Sequence, residues 1–176
     1  MPRKLRRYHG RGDLHFITFS CYERRALLAR VRARDLCLKI LEEVRKRFRP
    51  RVVGYVVMPE HVHFLIGEPQ RGTLPKVVQV FKQRVSRRMR AKRTGTAQGQ
   101  LSLAFANVSA MLRRFWQRRY YDFNVYSSKK IREKLDYMHR NPVQRKLVSH
   151  PKDWPWSSWR FYAYGEVGVV KIEPPE

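Results

Sequence analysis

Two histidines, His61 and His63, stand two residues apart in the segment HVHFLI. Side chains at alternate positions of a β-strand point to the same face, so a strand here would direct both imidazoles to one side. Two imidazoles in that arrangement can bind one metal ion, but a solvated or core-edge histidine pair has the same spacing. The pair is also incomplete as a metal site, because Mg²⁺ or Mn²⁺ requires a further ligand with an oxygen donor.

A tyrosine and an asparagine one helical turn apart form a second candidate pair, Tyr137 and Asn141, in the segment KLDYMHRNPVQ. Ile131, Leu135 and Met138 make the apolar stripe of the predicted helix. Tyr137 and Asn141 therefore share a different face. A phenol and an amide oxygen at this spacing suit a nucleophile and a metal ligand beside a phosphate. Tyr137 is one of nine tyrosines in the chain, and its position alone is equally compatible with a half-buried structural residue.

Hydrophobic periodicity predicts the elements that must position these residues. Apolar, β-branched and aromatic runs predict strands at 14–21, 52–57 and 61–66, with a further strand-like segment at 115–125. Apolar residues at helical spacing predict helices from a capping Asp35 to about Phe48, from about 74 to 90, and from about 129 to 139. Asn141 and Pro142 mark the end of the third helix.

The order β-α-β-β-α-β followed by another helix predicts an α+β fold of the ferredoxin-like split β-α-β type. In such a fold one antiparallel sheet carries helices on one face, and here a C-terminal helix and a tail are added. We expect a single domain over residues 1–176. Its predicted irregular parts are a basic arm at 1–12, a flexible loop at 92–110 and a loose tail at 165–176.

The charge balance indicates a polyanionic partner. The 176 residues include 39 Lys and Arg against 14 Asp and Glu, which gives a formal net charge of +25. A positive field of this size favours nucleic acid binding with a strong dependence on salt. No segment reaches transmembrane length and no secretory signal precedes the two cysteines, so we expect a cytoplasmic protein without a membrane partner.

Basic residues interleaved with aromatic ones are expected to hold DNA, through phosphate contacts and through stacking on unpaired bases. One cationic run lies in the second predicted helix, a second group alternates with aromatic residues, and two lysines flank the tyrosine of the third helix. The candidate DNA-binding residues are Arg84, Arg87, Arg88, Arg90, Arg113, Arg114, Arg118, Arg119, Lys130 and Lys134.

Four segments together resemble the HUH-type single-tyrosine transposases of the IS200-like superfamily, and most of all their REP-associated branch. The segments are VVMPEHVHFLI (56–66), FWQRRYYDFNV (115–125), KLDYMHRNPVQRKLV (134–148) and DWPWSSW (153–159). They occur in the family's order, and the resemblance covers roughly residues 8 to 164. The joint presence of MPEHVH and a Tyr-x-x-x-Asn-Pro helix is specific to this group.

The resemblance implies roles for the matching positions. His61 and His63 match the metal-binding histidine pair, Tyr137 matches the nucleophile, and Asn141 occupies the position of the third metal ligand, with Mg²⁺ or Mn²⁺ as the expected ion. The resemblance also implies that the protein cleaves and rejoins single-stranded DNA near a hairpin, through a 5′-phosphotyrosine. For the REP-associated branch the expected targets are palindromic repeats. A monomer and a homodimer are both compatible with the resemblance.

Two other functions share parts of this pattern. A catalytically silent DNA-binding or regulatory protein of the same fold would keep the basic surface without cleaving DNA. An RNA-binding ferredoxin-like module would share the element order and the positive charge, but the RNP1 pattern of such modules is absent at Arg51–Met58. The joint presence of Tyr137, both histidines and Asn141 favours the enzyme.

Overall fold

Four strands form one antiparallel sheet in a computed structural model of the protein, which describes residue 10, residues 12–94 and residues 114–175, except for the side chains of 91–94. The strands are β1 (Leu14–Ser20), β2 (Pro50–Val57), β3 (His61–Pro69) and β4 (Tyr121–Val125), and they lie in the order β2-β3-β1-β4. Each neighbouring pair is antiparallel. This is the split β-α-β sheet that the sequence predicts.

Helices cover both faces of this sheet. The longer ones are α1 (Val31–Phe48), α2 (Leu74–Thr94) and α3 (Ser128–Gln144), and a short α4 (Trp159–Tyr164) follows them. Short 3₁₀ turns lie at Tyr22–Arg24 and Pro151–Asp153. Within the described ranges, no helix combines the length and the apolar character that crossing a membrane requires.

The sheet divides the hydrophobic core into two layers. Ile17 and Phe19 of β1 belong to the layer that contains the buried residues of α1 and α2. Phe16, which points to the other side of the same strand, belongs to the second layer together with Leu135 and Met138 of α3. The expected pair of helices on one face is confirmed, and α3 covers the face that this pair leaves open.

α3 approaches strand β2 closely at Gly54. A β-carbon at position 54 would lie 2.6 Å from a methyl carbon of Leu135 and 3.0 Å from the terminal methyl of Met138. The absence of a side chain at Gly54 therefore lets the helix settle onto the sheet. The N-terminus of α3 is capped by Ser127, whose side chain accepts a hydrogen bond from the Lys130 amide.

The predicted boundaries of the first two helices require correction. α1 begins at Val31 and not at Asp35, whose carboxylate accepts a hydrogen bond from the Trp156 indole at 2.8 Å and so serves tertiary packing instead of capping. α2 continues to Thr94, so the first part of the predicted loop at 92–110 is helical. The rest of that loop, and all of the predicted basic arm at 1–12 except residues 10 and 12, lie outside the described residues.

The aromatic segment at 115–125 is a strand only over Tyr121–Val125. Before that strand, Trp116 makes a single bridge to Cys21. Trp116 is buried in the layer of α1 and α2, and its indole donates a hydrogen bond to the Lys82 carbonyl at 3.0 Å. The first part of this segment therefore packs against a helix and does not continue the ladder.

The predicted end of α3 at Asn141 and Pro142 is wrong, because the helix continues to Gln144. Proline removes one backbone donor, but later bonds hold the last turn. The amide of Arg145 donates to the Asn141 carbonyl at 3.0 Å, and the amide of Leu147 donates to the Pro142 carbonyl at 2.9 Å. Asn141 and Pro142 are also buried, so tertiary packing stabilises the extra turn.

The tail, predicted to be loose from 165, is docked at its end. Val170 and Ile172 are buried in the core layer of α1 and α2, and the Glu173 amide donates to the Val52 carbonyl at 2.8 Å. The physical reason is that β2 is an edge strand, whose outer backbone groups need partners. At the same edge, the Val57 amide donates a hydrogen bond to the Trp156 carbonyl at 2.9 Å.

A matched pair of valines tests this docking. Val170 is 1% exposed and Val167 is 85% exposed in the same segment. We expect Val170→Ala to lower the free energy of unfolding by roughly 2 kcal/mol, because it removes buried methyl groups and leaves a cavity. Val167→Ala should change it by less than about 0.5 kcal/mol. Chemical denaturation measures both, and equal losses would contradict a docked tail.

Candidate active site

The two histidines lie side by side on β3, on the face of the sheet that α3 covers. Their Nε2 atoms are 3.0 Å apart, and both side chains are buried. Two imidazole nitrogens at this separation either share one N–H hydrogen or point at a common cation. Neighbouring ligands about 2.1 Å from one ion, at an angle of about 90°, would be about 3.0 Å apart. The spacing therefore fits a metal ion.

A second side chain holds the far nitrogen of each imidazole. His61 Nδ1 lies 2.9 Å from a carboxylate oxygen of Glu60, and His63 Nδ1 lies 2.6 Å from the hydroxyl of Thr18. A carboxylate can only accept, so the hydrogen of neutral His61 is on Nδ1 and its Nε2 carries the lone pair. Partners of this kind fix the ring orientation of metal-binding histidines.

Burial keeps both imidazoles neutral. It is the largest cause of the lowered pKa of His61 and of the more strongly lowered pKa of His63. His61 and the cations Lys134, Arg145 and Arg24 lower the pKa of His63 further. A neutral imidazole offers the lone pair that a metal ion needs.

The amide of Asn141 reaches this pair from α3. Its Nδ2 lies 3.5 Å from His63 Nε2, and its buried Oδ1 has no hydrogen-bond partner among the described residues. A buried acceptor without a partner is costly, and rotation of the amide would exchange its oxygen and nitrogen. No group of three His, Cys, Asp or Glu side chains in the described ranges is placed to hold a metal ion. The amide oxygen is therefore the candidate third ligand.

Tyr137 lies one turn before Asn141 and remains open to solvent. It is 44% exposed, in contrast to the buried Leu135 and Met138 of the same helix. Its ring meets the His63 ring edge-on, with 5.4 Å between the centroids. The Phe16 ring of the sheet also contacts the Tyr137 ring edge-on, with 6.0 Å between the centroids. The helix therefore presents an exposed phenol directly beside the buried imidazole pair.

The family model described as Transposase IS200 like matches residues 10–141. The chain belongs to the IS200-like transposase family. It is 29% identical over 157 residues to a protein of Escherichia coli (strain K12) described as "REP-associated tyrosine transposase". The aligned region covers 89% of this chain and 82% of that protein. It is also similar to a solved structure described as "Structure of the REP associates tyrosine transposase bound to a REP hairpin", with a TM-score of 0.69 and 21% identity over 97% of this chain and 91% of the other.

Membership in the IS200-like transposases makes the protein an enzyme of DNA transposition, a process that requires cleavage of DNA. The matched residues include both histidines and Tyr137 and end at Asn141. The likeness to the solved structure confirms the fold. The resemblance to the REP-associated branch, inferred from four sequence segments, is confirmed as well.

Within this IS200-like transposase, the cations of α2 belong to a helix on the face of the sheet opposite to the histidine pair. Arg84 and Arg88 each lie 2.9 Å from a carboxylate oxygen of Glu43 on α1. Arg87 and Arg90 belong to the same helix, which covers the face of the sheet opposite to α3. A role of these four arginines in DNA binding stays a prediction, and it would require DNA on a second side of the molecule.

Apart from Lys134, the other predicted cations that the structure describes are Arg114, Arg118, Arg119 and Lys130. Arg114 lies 5.7 Å from the centre of the Tyr22 ring, and Arg118 and Arg119 are exposed. Arg113 lies outside the described residues. The Lys130 ammonium is 2.6 Å from the Glu133 carboxylate. Their role in DNA binding also stays a prediction.

Lys134 is the predicted cation that the described structure brings to the site. Its ammonium lies 4.6 Å from the centre of the Phe16 ring, which contacts Tyr137. Sequence reasoning missed Thr18, Glu60, Arg24 and Arg145. The Arg145 guanidinium lies 3.8 Å from the Glu60 carboxylate. The Cys21 amide donates a hydrogen bond to the Glu60 carbonyl, which places the turn that contains Arg24 near Glu60.

The contact between Thr18 and His63 can be tested with one variant that removes the hydroxyl and one that keeps it. Thr18→Val removes the hydroxyl, and Thr18→Ser keeps it. We expect Thr18→Val to lower the free energy of unfolding by about 1–2 kcal/mol, because a buried ring nitrogen loses its partner. It should also shift the ring ¹⁵N resonances of His63 in NMR spectra, whereas Thr18→Ser should preserve them. Identical His63 resonances in both variants would contradict the contact.

Proposed function

We propose that the protein cleaves and rejoins single-stranded DNA through a covalent 5′-phosphotyrosine on Tyr137, with a divalent metal ion bound beside it. The observation that carries this proposal is the exposed phenol 5.4 Å, between ring centroids, from a buried imidazole. An exposed phenol can reach a phosphate of DNA. The nitrogen atoms of His61 and His63, in contrast, are accessible only to a small ligand such as a metal ion.

His61, His63 and Asn141 would hold the ion. Two imidazole nitrogens and one amide oxygen form a mixed donor set that suits Mn²⁺ or Mg²⁺ when water and phosphate oxygens complete the coordination. The partnerless Oδ1 of Asn141 supports this assignment. When bound, such an ion acts as a Lewis acid and neutralises charge that develops on the scissile phosphate.

The phenol oxygen of Tyr137 attacks the phosphorus atom. A bond between this oxygen and phosphorus forms while the bond to the 3′-oxygen breaks, so the phosphate stays on the 5′ end of the downstream strand and the upstream strand ends in a 3′-OH. The phenol loses its proton and the leaving 3′-oxygen gains one. Lys134, Arg24 and Arg145 place positive charge around this reaction, which favours the more negative transition state.

Rejoining is the reverse reaction with a 3′-OH as the nucleophile. One phosphodiester replaces another, so the step requires no external energy source. Because α3 carries both Tyr137 and Asn141, the nucleophile and one proposed metal ligand are held by the same rigid element.

The proposed substrate is single-stranded DNA next to a hairpin, with palindromic repeats as the natural source of such hairpins. The similar solved structure is described as bound to a REP hairpin. The net charge of +25 supports binding of the phosphates of a paired stem. An alternative is a catalytically silent DNA-binding protein of the same fold, which would bind the hairpin equally well and form no adduct.

Substitution of the nucleophile separates these alternatives. Tyr137→Phe removes only a hydroxyl, so we expect the covalent 5′ adduct and strand joining to disappear while folding and hairpin affinity persist. The matched control is Tyr126→Phe, at a tyrosine that is 79% exposed beyond the far end of β4, and it should keep adduct formation. A denaturing gel with hairpin DNA and Mn²⁺ detects the adduct. Mass spectrometry that locates the nucleotide on another tyrosine would overturn the assignment.

Loss of a proposed metal ligand should separate cleavage from DNA binding. We expect His61→Ala or His63→Ala to slow cleavage on the order of 100-fold or more, the scale of losing a group that stabilises charge in the transition state. Asn141→Ala should have a smaller effect, because water can replace one oxygen ligand. Hairpin affinity should stay near its original value, since cations elsewhere bind the phosphates. Titration with Mn²⁺ measures the metal affinity independently, and unchanged affinity in His63→Ala would contradict the site.

A further inference from the structure

Strand β4 carries two parallel aromatic rings on the same face of the sheet as the histidine pair. Tyr121 and Phe123 have an interplanar angle of 2°, with 6.5 Å between their centroids. Their partners across the ladder are Thr18 and Phe16, the two β1 residues that contact His63. β4 is an edge strand, and Tyr121 is 42% exposed. An open aromatic face therefore lies at the border of the site.

These rings are continuous with the surroundings of the nucleophile. The Lys134 ammonium lies 5.1 Å from the centre of the Phe123 ring and 4.6 Å from that of Phe16. Phe16 in turn contacts Tyr137, with 6.0 Å between the ring centroids. The contacts therefore run from the exposed Tyr121 through the half-buried Phe123 to Lys134, and from Lys134 through Phe16 to the phenol of Tyr137.

This order matches the chemistry of an unpaired nucleotide. A base offers a π-face that stacks on an aromatic side chain, and the phosphate that follows it carries a negative charge that a lysine attracts. Bases in a duplex stack on each other and do not offer such a face. Side-chain packing also does not require this position to be aromatic, since the described residues leave Tyr121 partly open to solvent.

We propose that Tyr121 and Phe123 form a stacking platform for a base of single-stranded DNA beside the scissile phosphate, and that Lys134 binds the phosphate next to that base. The proposal rests on the function proposed for Tyr137, and it adds a binding site for an unpaired base next to the reacting phosphate. Since every base has a π-face, the platform binds unpaired bases with little dependence on their identity.

The test uses a DNA hairpin with single-stranded extensions, in which 2-aminopurine replaces one extension base at a time. Stacking quenches the fluorescence of this base. We expect wild-type protein to quench at least one position, and we expect Tyr121→Ala to lose that quenching and to bind the extended hairpin roughly 5- to 150-fold more weakly. Tyr121→Phe should preserve both properties, because it keeps the ring.

Two controls make the outcome decisive. Tyr126→Ala, an exposed tyrosine in the same part of the chain, should bind and quench as the wild type does. A hairpin without extensions should bind wild type and Tyr121→Ala equally, which shows that the variant is folded. Quenching and affinity unchanged by Tyr121→Ala at every position would overturn the platform while leaving the reaction at Tyr137 intact. Absence of the covalent adduct in wild-type protein would overturn the proposed function, and the fluorescence result would still decide about the platform.

Discussion

The packing of α3 against the open face of the sheet is the constraint on which the site depends. Leu135 and Met138 are buried against that face, and Gly54 leaves room for their methyl groups. Once this contact is made, helical periodicity turns residues 137 and 141 toward β3. The Asn141 amide then lies 3.5 Å from His63, and the Tyr137 ring rests against the same imidazole. Loss of the helix contact would separate all of these groups at once.

The site combines a buried part with an exposed one. His61, His63 and Asn141 are buried, and desolvation keeps the imidazoles neutral, so their lone pairs are available to a cation. Tyr137 and Tyr121 are exposed, and the Lys134 ammonium lies over the rings of Phe16 and Phe123, so this part can meet a polyanion. A small ligand below and a DNA strand above can therefore be bound at the same time. Glu60 and Thr18 hold the imidazoles in place from behind.

Two periodicities account for what the sequence predicts. Alternation along β3 places both histidines on one face, and the helical period places Tyr137 and Asn141 together, and both pairings are present in the structure. The register that pairs Thr18 with His63 depends on long-range packing, which no local pattern contains. The arginines of α2 are recognisable in the sequence as a basic run. The side of the sheet that this helix covers depends on long-range packing and is not recognisable there. The helix end predicted at Pro142 is wrong, because burial and later hydrogen bonds outweigh the tendency of proline to end a helix.

Anomalous X-ray diffraction from crystals grown with Mn²⁺ tests the central claim most directly, because it locates the ion without reference to activity. The account predicts one strong peak in contact with Nε2 of His61, Nε2 of His63 and the amide oxygen of Asn141, beside the Tyr137 hydroxyl. Asn141 should then present its oxygen to the ion. A peak elsewhere on the protein, or an ion bound by the histidines with Asn141 turned away, would contradict the claim that α3 supplies both the nucleophile and a metal ligand.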